Sequence, residues 1–280
     1  MKKTWFITGT SRGIGLEIAQ AALASGDNVV ATARNITSLR EQFSEDQKTQ
    51  LECLELDVNN PVQANIAVNR AVERFGNIDI LVNNAGFGQL GHFETVELSA
   101  IEQQFSTNVF GLMQVTRAVL VVMRKQQCGH ILNMSSIGGA LGFDGAAVYC
   151  AAKFAVEGFS ESLALEVARF GINVTIVEPG FFRTDFLDPT SVRYGNIKLH
   201  DYEKIATAQK MQFDDYSHVQ PGDPKRLAQL IVDTAGKGAA PLRLIAGTDS
   251  LAMSRETLNN RIKELELWAK VSVTTDHRET

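Results

Sequence analysis

Residues 4–15 read TWFITGTSRGIG. Five largely apolar, β-favouring residues run straight into a loop with glycines at 9, 13 and 15, and an apolar helical pattern follows. Glycine lets a backbone turn tightly and approach a ligand, and a helix N-terminus offers unpaired amides at the positive end of a dipole. The spacing is not G-x-G-x-x-G, but strand, glycine loop and helix in succession describe a cradle for a pyrophosphate. A plain strand-to-helix turn is the alternative.

Outward from this unit, apolar strand-like runs alternate with helix-length amphipathic segments. NVVATA (28–33), LECLEL (51–56), IDILVN (78–83), GHILNM (129–134) and INVTIVE (172–178) read as buried strands. Helices are expected over 13–25, 36–46, 61–75, twice within 94–126, and over 149–169. Pro61 suits a first helical turn, and Gly26, Gly76 and Gly171 suit helix ends. Such alternation implies an α/β chain with a parallel sheet covered by helices on both faces. No linker or repeat breaks the pattern, so 1–280 reads as one domain. Within it, the pattern loosens over 181–222, where a lid over a ligand crevice is expected. PLRLIAG (241–247) reads as a last strand, followed by a charged helix within a carboxyl-terminal extension, 250–280. That helix carries an apolar stripe of Leu258, Ile262, Leu265 and Trp268, fit to pack against something.

The bulk numbers exclude several classes. The chain has 280 residues, 44% hydrophobic and 21% charged, with a net charge of −5, as ordinary soluble globular proteins do. No basic block suggests nucleic acid or an anionic membrane as a partner. The longest apolar runs, such as AVLVVM at 118–123, fall short of a membrane span, and the first residues are too few for a signal-peptide apolar region. Cys53, Cys128 and Cys150 have no metal-like or redox spacing, and the five histidines are scattered. A reduced, cytoplasmic setting and no metal site are expected.

The second strand ends in Ala33-Arg34, where NAD-preferring sites place a carboxylate for the ribose 2′-hydroxyl. A guanidinium there would instead bind a 2′-phosphate, and Arg12 in the glycine loop could supply a second cation. NADP(H) is therefore the expected cofactor, unless Arg34 is merely a solvated surface residue. Further along, GAAVYCAAKF (145–154) sets Tyr149 and Lys153 four apart, on one helical face. Alone the pair could be an ordinary polar edge. A cation beside a phenol, however, favours phenolate and would lower a pKa that is ordinarily about 10.

Taken together the motifs resemble those of the short-chain dehydrogenases/reductases. TGTSRGIG is similar to that family's T-G-x-x-x-G-x-G loop, and NNAG (83–86) to its sheet-stabilising signature. NVFG (108–111) is similar to its catalytic Asn segment and NMSSIGG (133–139) to its catalytic Ser segment. YCAAK matches Tyr-x-x-x-Lys and PGFFRT (179–184) matches P-G-x-x-x-T. The likeness spans roughly 4–190, in the family's order, and implies a doubly wound seven-stranded parallel sheet (a Rossmann fold) of order 3-2-1-4-5-6-7. It implies Ser136, Tyr149, Lys153 and Asn108 as catalytic residues: Tyr149 as acid and base, Ser136 polarising the carbonyl, Lys153 on the nicotinamide ribose, and Asn108 holding a water. It implies NADP(H) contacts from Gly9, Thr10, Ser11, Arg12, Gly13, Ile14 and Gly15, then Arg34, Asp57 and Val58. Asn84, Ala85, Gly86, Tyr149, Lys153, Pro179, Gly180, Phe182 and Thr184 complete that set. Asp57-Val58 could equally begin a turn, and Thr184 could equally cap a helix.

Cys150 reads as a small buried hydrophobe. Phe87, Phe143 and Phe186, with Ser136, are the candidate substrate contacts, and Leu141, Phe181 and Leu187 lie in the same segments. An apolar pocket suits a hydrophobic ketone, aldehyde or secondary alcohol. The expected activity is thus hydride transfer between NADP(H) and such a compound. A silent NADP(H)-binding sensor, or an epimerase or dehydratase of related fold, is the alternative. The family likeness implies a homotetramer, but the extension could cover one contact surface, which favours a homodimer.

Overall fold

The computed structural model describes residues 2–235 and 240–277; the last three residues of the expected extension lie outside them. The chain runs β1 (Thr4–Thr8), α1 (Gly13–Ala24), β2 (Asn28–Ala33), α2 (Ile36–Arg40), β3 (Leu51–Glu55), α3 (Pro61–Phe75) and β4 (Ile80–Asn83). It continues with β5 (Gly88–Leu90), α4 (Leu98–Phe105), α5 (Leu112–Gln126), β6 (Gly129–Met134), α6 (Ala147–Val167) and β7 (Ile172–Pro179). β8 (Val192–Tyr194), α7 (His200–Tyr216), α8 (Pro224–Thr234), β9 (Arg243–Ala246) and α9 (Thr248–Ser272) follow. Seven strands form one parallel sheet in the order β3-β2-β1-β4-β6-β7-β9. Leaving out β5 and β8, which pair only with each other, this is the expected doubly wound order.

Two cores sandwich the sheet, and strand alternation assigns residues to them. Trp5 and Ile7 face one core with Ile18 and Ala22 of α1 and Leu227 and Ile231 of α8. Phe6 faces the other with Val68 of α3, Val119 and Met123 of α5, and Leu163 of α6. Local chemistry sets the helix ends. Asn60 accepts from the Val62 and Gln63 amides, Pro61 opens α3, and Gly76 closes it at φ 85°.

Several expectations change. The helix expected over 36–46 stops at Arg40, because extended Ser44 starts a separate 3-10 turn with its own capping box. α4 and α5 are joined without a break by a π-helical turn, Ser106–Gly111. By length and composition the resulting Leu98–Gln126 helix is apolar enough to cross a membrane, contrary to the sequence reading. Its apolar face is accounted for by packing on α3, β4 and β6. The segment 181–222 is less irregular than expected, since it contains the 17-residue α7. α7 buries no residue fully, so its apolar periodicity is weak. The α9 stripe is not covered by the described residues: Leu258, Ile262, Leu265 and Trp268 are all exposed.

Candidate active site

The glycine loop is locked to the sheet from below. Asn84 Nδ2 donates to the carbonyls of Thr8 (3.0 Å) and Gly9 (2.9 Å), and Thr8 Oγ1 accepts from the Asn84 and Ala85 amides at 3.0 Å each. A Cβ on Gly15 would stand 2.3 Å from both Asn84 Nδ2 and Gly9 O, and Gly9 holds φ at +70°. Only glycine fits either place. Asn84, expected against the cofactor, thus commits its amide nitrogen to the loop. Thr10 is buried, with its amide and Oγ1 both on Thr32 O. Ile14 packs into the first core, so its contribution to a ligand site is its backbone. α1 carries neither a side-chain cap nor an acidic residue in its first turn, leaving amides beside Ser11 and Gly13 available to an anion.

The two arginines part company. Arg34 is exposed at the carboxyl end of β2, as expected. Arg12, expected to assist it, reaches across to the 181–222 segment, where Nη1 donates to Thr190 Oγ1 and Nη2 to Thr190 O, both at 2.8 Å. Other assignments also shift toward structure. Asp57 Oδ1 accepts from the Asn59 amide in the turn before Pro61, and Val58 is buried in the second core against Gly111. Phe182 turns its ring to the first core and Gly222. Thr184 Oγ1 accepts from the Phe186 amide, while its Cβ lies 3.9 Å from where Gly13 would carry one. Buried Pro179 and half-buried Gly180 join β7 to the start of α9, whose Asp249 accepts from the Phe181 amide at 2.7 Å. Gly86 has room for no Cβ without crowding Asn108.

At the end of β6 three successive residues each meet one residue of α6. The Met134 carbonyl accepts from Lys153 Nζ at 2.7 Å, Ser136 hydrogen-bonds Tyr149, and Ser135 lies beside Glu157 over bare Gly139. Tyr149, Lys153 and Glu157 are spaced by four along the helix, so they share its inner face. Ser136 Oγ also accepts from the Gly138 amide at 3.1 Å, which fixes its rotamer. Asn108, in the π turn, clamps Phe87 from both sides: Oδ1 accepts from its amide (3.2 Å) and Nδ2 donates to its carbonyl (2.9 Å). π turns of this kind gather at functional positions.

The electrostatics correct one expectation. Burial pushes the Tyr149 phenol up to about 12, opposed by the Ser136 hydrogen bond and reinforced by Cys150. The expected acidification by Lys153 is therefore not produced by the protein's own groups. The Lys153 Nζ stands 5.8 Å from the phenol ring centroid, and burial pulls it down to about 8 while Glu157 supports the charged form. Cys150 is buried, as read, and burial pushes its thiol up.

Among the expected substrate contacts, Phe186 packs on Tyr149 with ring centroids 5.6 Å apart, and Phe143 shares that cluster with Leu187. Phe87 does not join it; its ring lies 4.8 Å under the Arg193 guanidinium. Sequence reading missed Tyr194, whose hydroxyl is buried in this cluster without a hydrogen-bond partner among the described residues. It also missed Glu157, whose only signal was its spacing of four from Lys153, and Arg243 and Glu178, which carried none. Asp185, Asp188 and His218, separated in sequence, come within 4.8 Å of one another; His218 Nε2 lies 2.9 Å from Asp188 Oδ1.

Comparison with known proteins agrees with this geometry. Residues 3–194 match the family model described as short chain dehydrogenase. The chain is 36% identical over 273 residues to oxidoreductase BOA17 of Botryotinia fuckeliana, covering 98% of this chain and 99% of that one. A crystal structure of a short-chain dehydrogenase from Streptomyces avermitilis superposes with a TM-score of 0.90 at 37% identity, over 99% and 100% of the two chains. ElxO with NADP bound superposes with a TM-score of 0.74 at 28% identity, covering 90% of this chain and all of ElxO. With its sheet order, loop and α6 face all in agreement, the chain belongs to the short chain dehydrogenase family.

Proposed function

We propose that this protein transfers a hydride between NADP(H) and a hydrophobic carbonyl or secondary alcohol. The observation that carries the reading is the convergence of Ser136, Tyr149 and Lys153 at the carboxyl ends of β6 and α6's inner face, where sheets of this type bind nucleotides. The cradle fits the cofactor: Gly9 and Gly15 keep backbone bare, α1 leaves its first amides uncapped, and exposed Arg34 follows β2 where NAD-preferring sites place a carboxylate. NADP is also what the similar ElxO structure holds. Bound NADPH would supply the hydride.

The chain's own residues would handle the proton. The Ser136 hydroxyl, oriented by the Gly138 amide, would donate to the substrate oxygen as charge builds there. Tyr149, neutral through burial, would give its proton to the same oxygen and recover it in the reverse direction. Lys153, anchored on Met134 O, would bind ribose hydroxyls and support phenolate as it forms. Asn108 would act through Phe87, holding the backbone that borders Gly86. The cluster of Phe143, Phe186, Leu187 and Leu90 around Tyr149 favours an apolar substrate. A homodimer or homotetramer in the cytoplasm completes the proposal, with α9's exposed stripe as a surface for self-association. The test is NADPH oxidation across a panel of apolar ketones and aldehydes. Turnover with NADPH preferred over NADH supports the reading, and a preference for NADH overturns the cofactor assignment.

A further inference from the structure

Behind Lys153 lies a second polar cluster that the proposed reaction does not use. Glu157 and Glu178 are both buried, at 8% and 2% exposure. Arg243, on β9, reaches between them, with Nε 3.5 Å from Glu157 Oε2 and 3.3 Å from Glu178 Oε1. Its Nη2 meets the more exposed Glu161 at 3.1 Å. Ser135 Oγ and Glu157 Oε1 converge over Gly139, where an added Cβ would stand 2.4 Å from the hydroxyl and 3.0 Å from the carboxylate oxygen. Neither atom finds a hydrogen bond of good geometry there. Burying two carboxylates around one half-exposed guanidinium is costly, and packing alone does not call for it.

The register across β6 and α6 says what the cluster faces. Met134, Ser135 and Ser136 meet Lys153, Glu157 and Tyr149 in turn, so Glu157 sits one helical turn beyond Lys153 on the same face. We propose that Glu157 is a positioning residue of the reaction: its carboxylate, held by Arg243 and flanked by Ser135, is the counter-charge that keeps Lys153 an ammonium. The inference rests on the role assigned to Lys153 above. Burial pulls Lys153 down, and Glu157 acts against it. Burial pushes Glu157 itself up, opposed by Ser135, Arg243 and Lys153 and reinforced by Glu161. Glu178 is pushed up to about 7 by burial and by Glu157, against Arg243, so the shared guanidinium favours charge on Glu157 when Glu178 holds a proton.

Lys153 loses its proton as pH rises, and removing Glu157's charge brings that loss to lower pH. The experiment measures NADPH affinity by fluorescence, and kcat/KM where turnover is found, from pH 6 to 10 in wild type, Glu157→Gln and Glu157→Asp. Glu157→Gln should move the alkaline midpoint of both profiles down by on the order of one pH unit. Glu157→Asp, which keeps the charge one methylene farther away, should move it less. If the amide variant does not fold, the partial shift in Glu157→Asp decides. Midpoints that stay at the wild-type pH, with only a uniform fall in affinity or melting temperature, overturn the proposal and leave Glu157 structural. Because affinity is read without turnover, an absence of carbonyl reduction would count against the proposed reaction and leave this inference standing on binding alone.

Discussion

The end of β6 and the 181–222 segment both border Tyr149, yet they are built in opposite ways. At β6 buried polar side chains are tied to other elements by hydrogen bonds: Asn83 to Thr116 and Asn133, Asn133 to Ser160, Lys153 to Met134. In the segment, contacts are largely aromatic edges and exposed arginine bridges. Phe181 meets Phe143 and Tyr216 at 6.1 and 5.5 Å, Arg12 holds Thr190, and α7 buries nothing fully. Buried hydrogen bonds are costly to break and fix atoms in place, whereas aromatic edges and surface bridges exchange at small cost. Reactive groups belong on the first kind of scaffold, and a surface that must admit substrates belongs on the second.

Substitutions can break this contrast, and the largest effect belongs to the rigid side. Tyr149→Phe should lower kcat by about 10²–10⁴-fold while NADPH affinity stays within about twofold, as a lost general acid does. Stopped-flow reduction and fluorescence titration measure the two, and retained turnover would remove Tyr149 from the chemistry. Next comes stability of the rigid side against acid. His130 is buried on β6 beside Thr175 and pulled down to about 4 by burial, with Lys3 adding to the effect. Its folded value lies below its unfolded value, so its contribution is present above about pH 6.5 and lost as pH falls toward 4. Denaturant melts should lose about 3 kcal/mol over that window, and His130→Gln should flatten the loss.

Smaller effects belong to the exposed groups. Arg34→Asp should weaken NADPH about ten- to a hundredfold and spare NADH, which equilibrium titration of both cofactors resolves. An unchanged NADPH affinity would mean that Arg34 is only a solvated arginine. Thr190→Ala should be the mildest, changing substrate KM no more than a few-fold, because the Thr190 carbonyl still accepts from Arg12. A large loss of stability in that variant would show the segment to be as rigid as β6.

Much of the molecule was legible from residue order. The strands, the glycine loop, and the four-residue spacing of Tyr149 and Lys153 follow from periodicity and local motifs, because each is set within one strand, turn or helix, whereas the sheet order came from the family likeness. The roles of shared residues were less legible. Val58 and Phe182 point into cores, and Arg12 turns from the second strand to Thr190, since a side chain's direction depends on neighbours far along the chain. Only the folded chain could bring Glu178 and Arg243, 65 positions apart, to one buried face of Glu157. Likewise only burial, a property of the packed whole, could raise the Tyr149 phenol where sequence neighbours alone argued for lowering it.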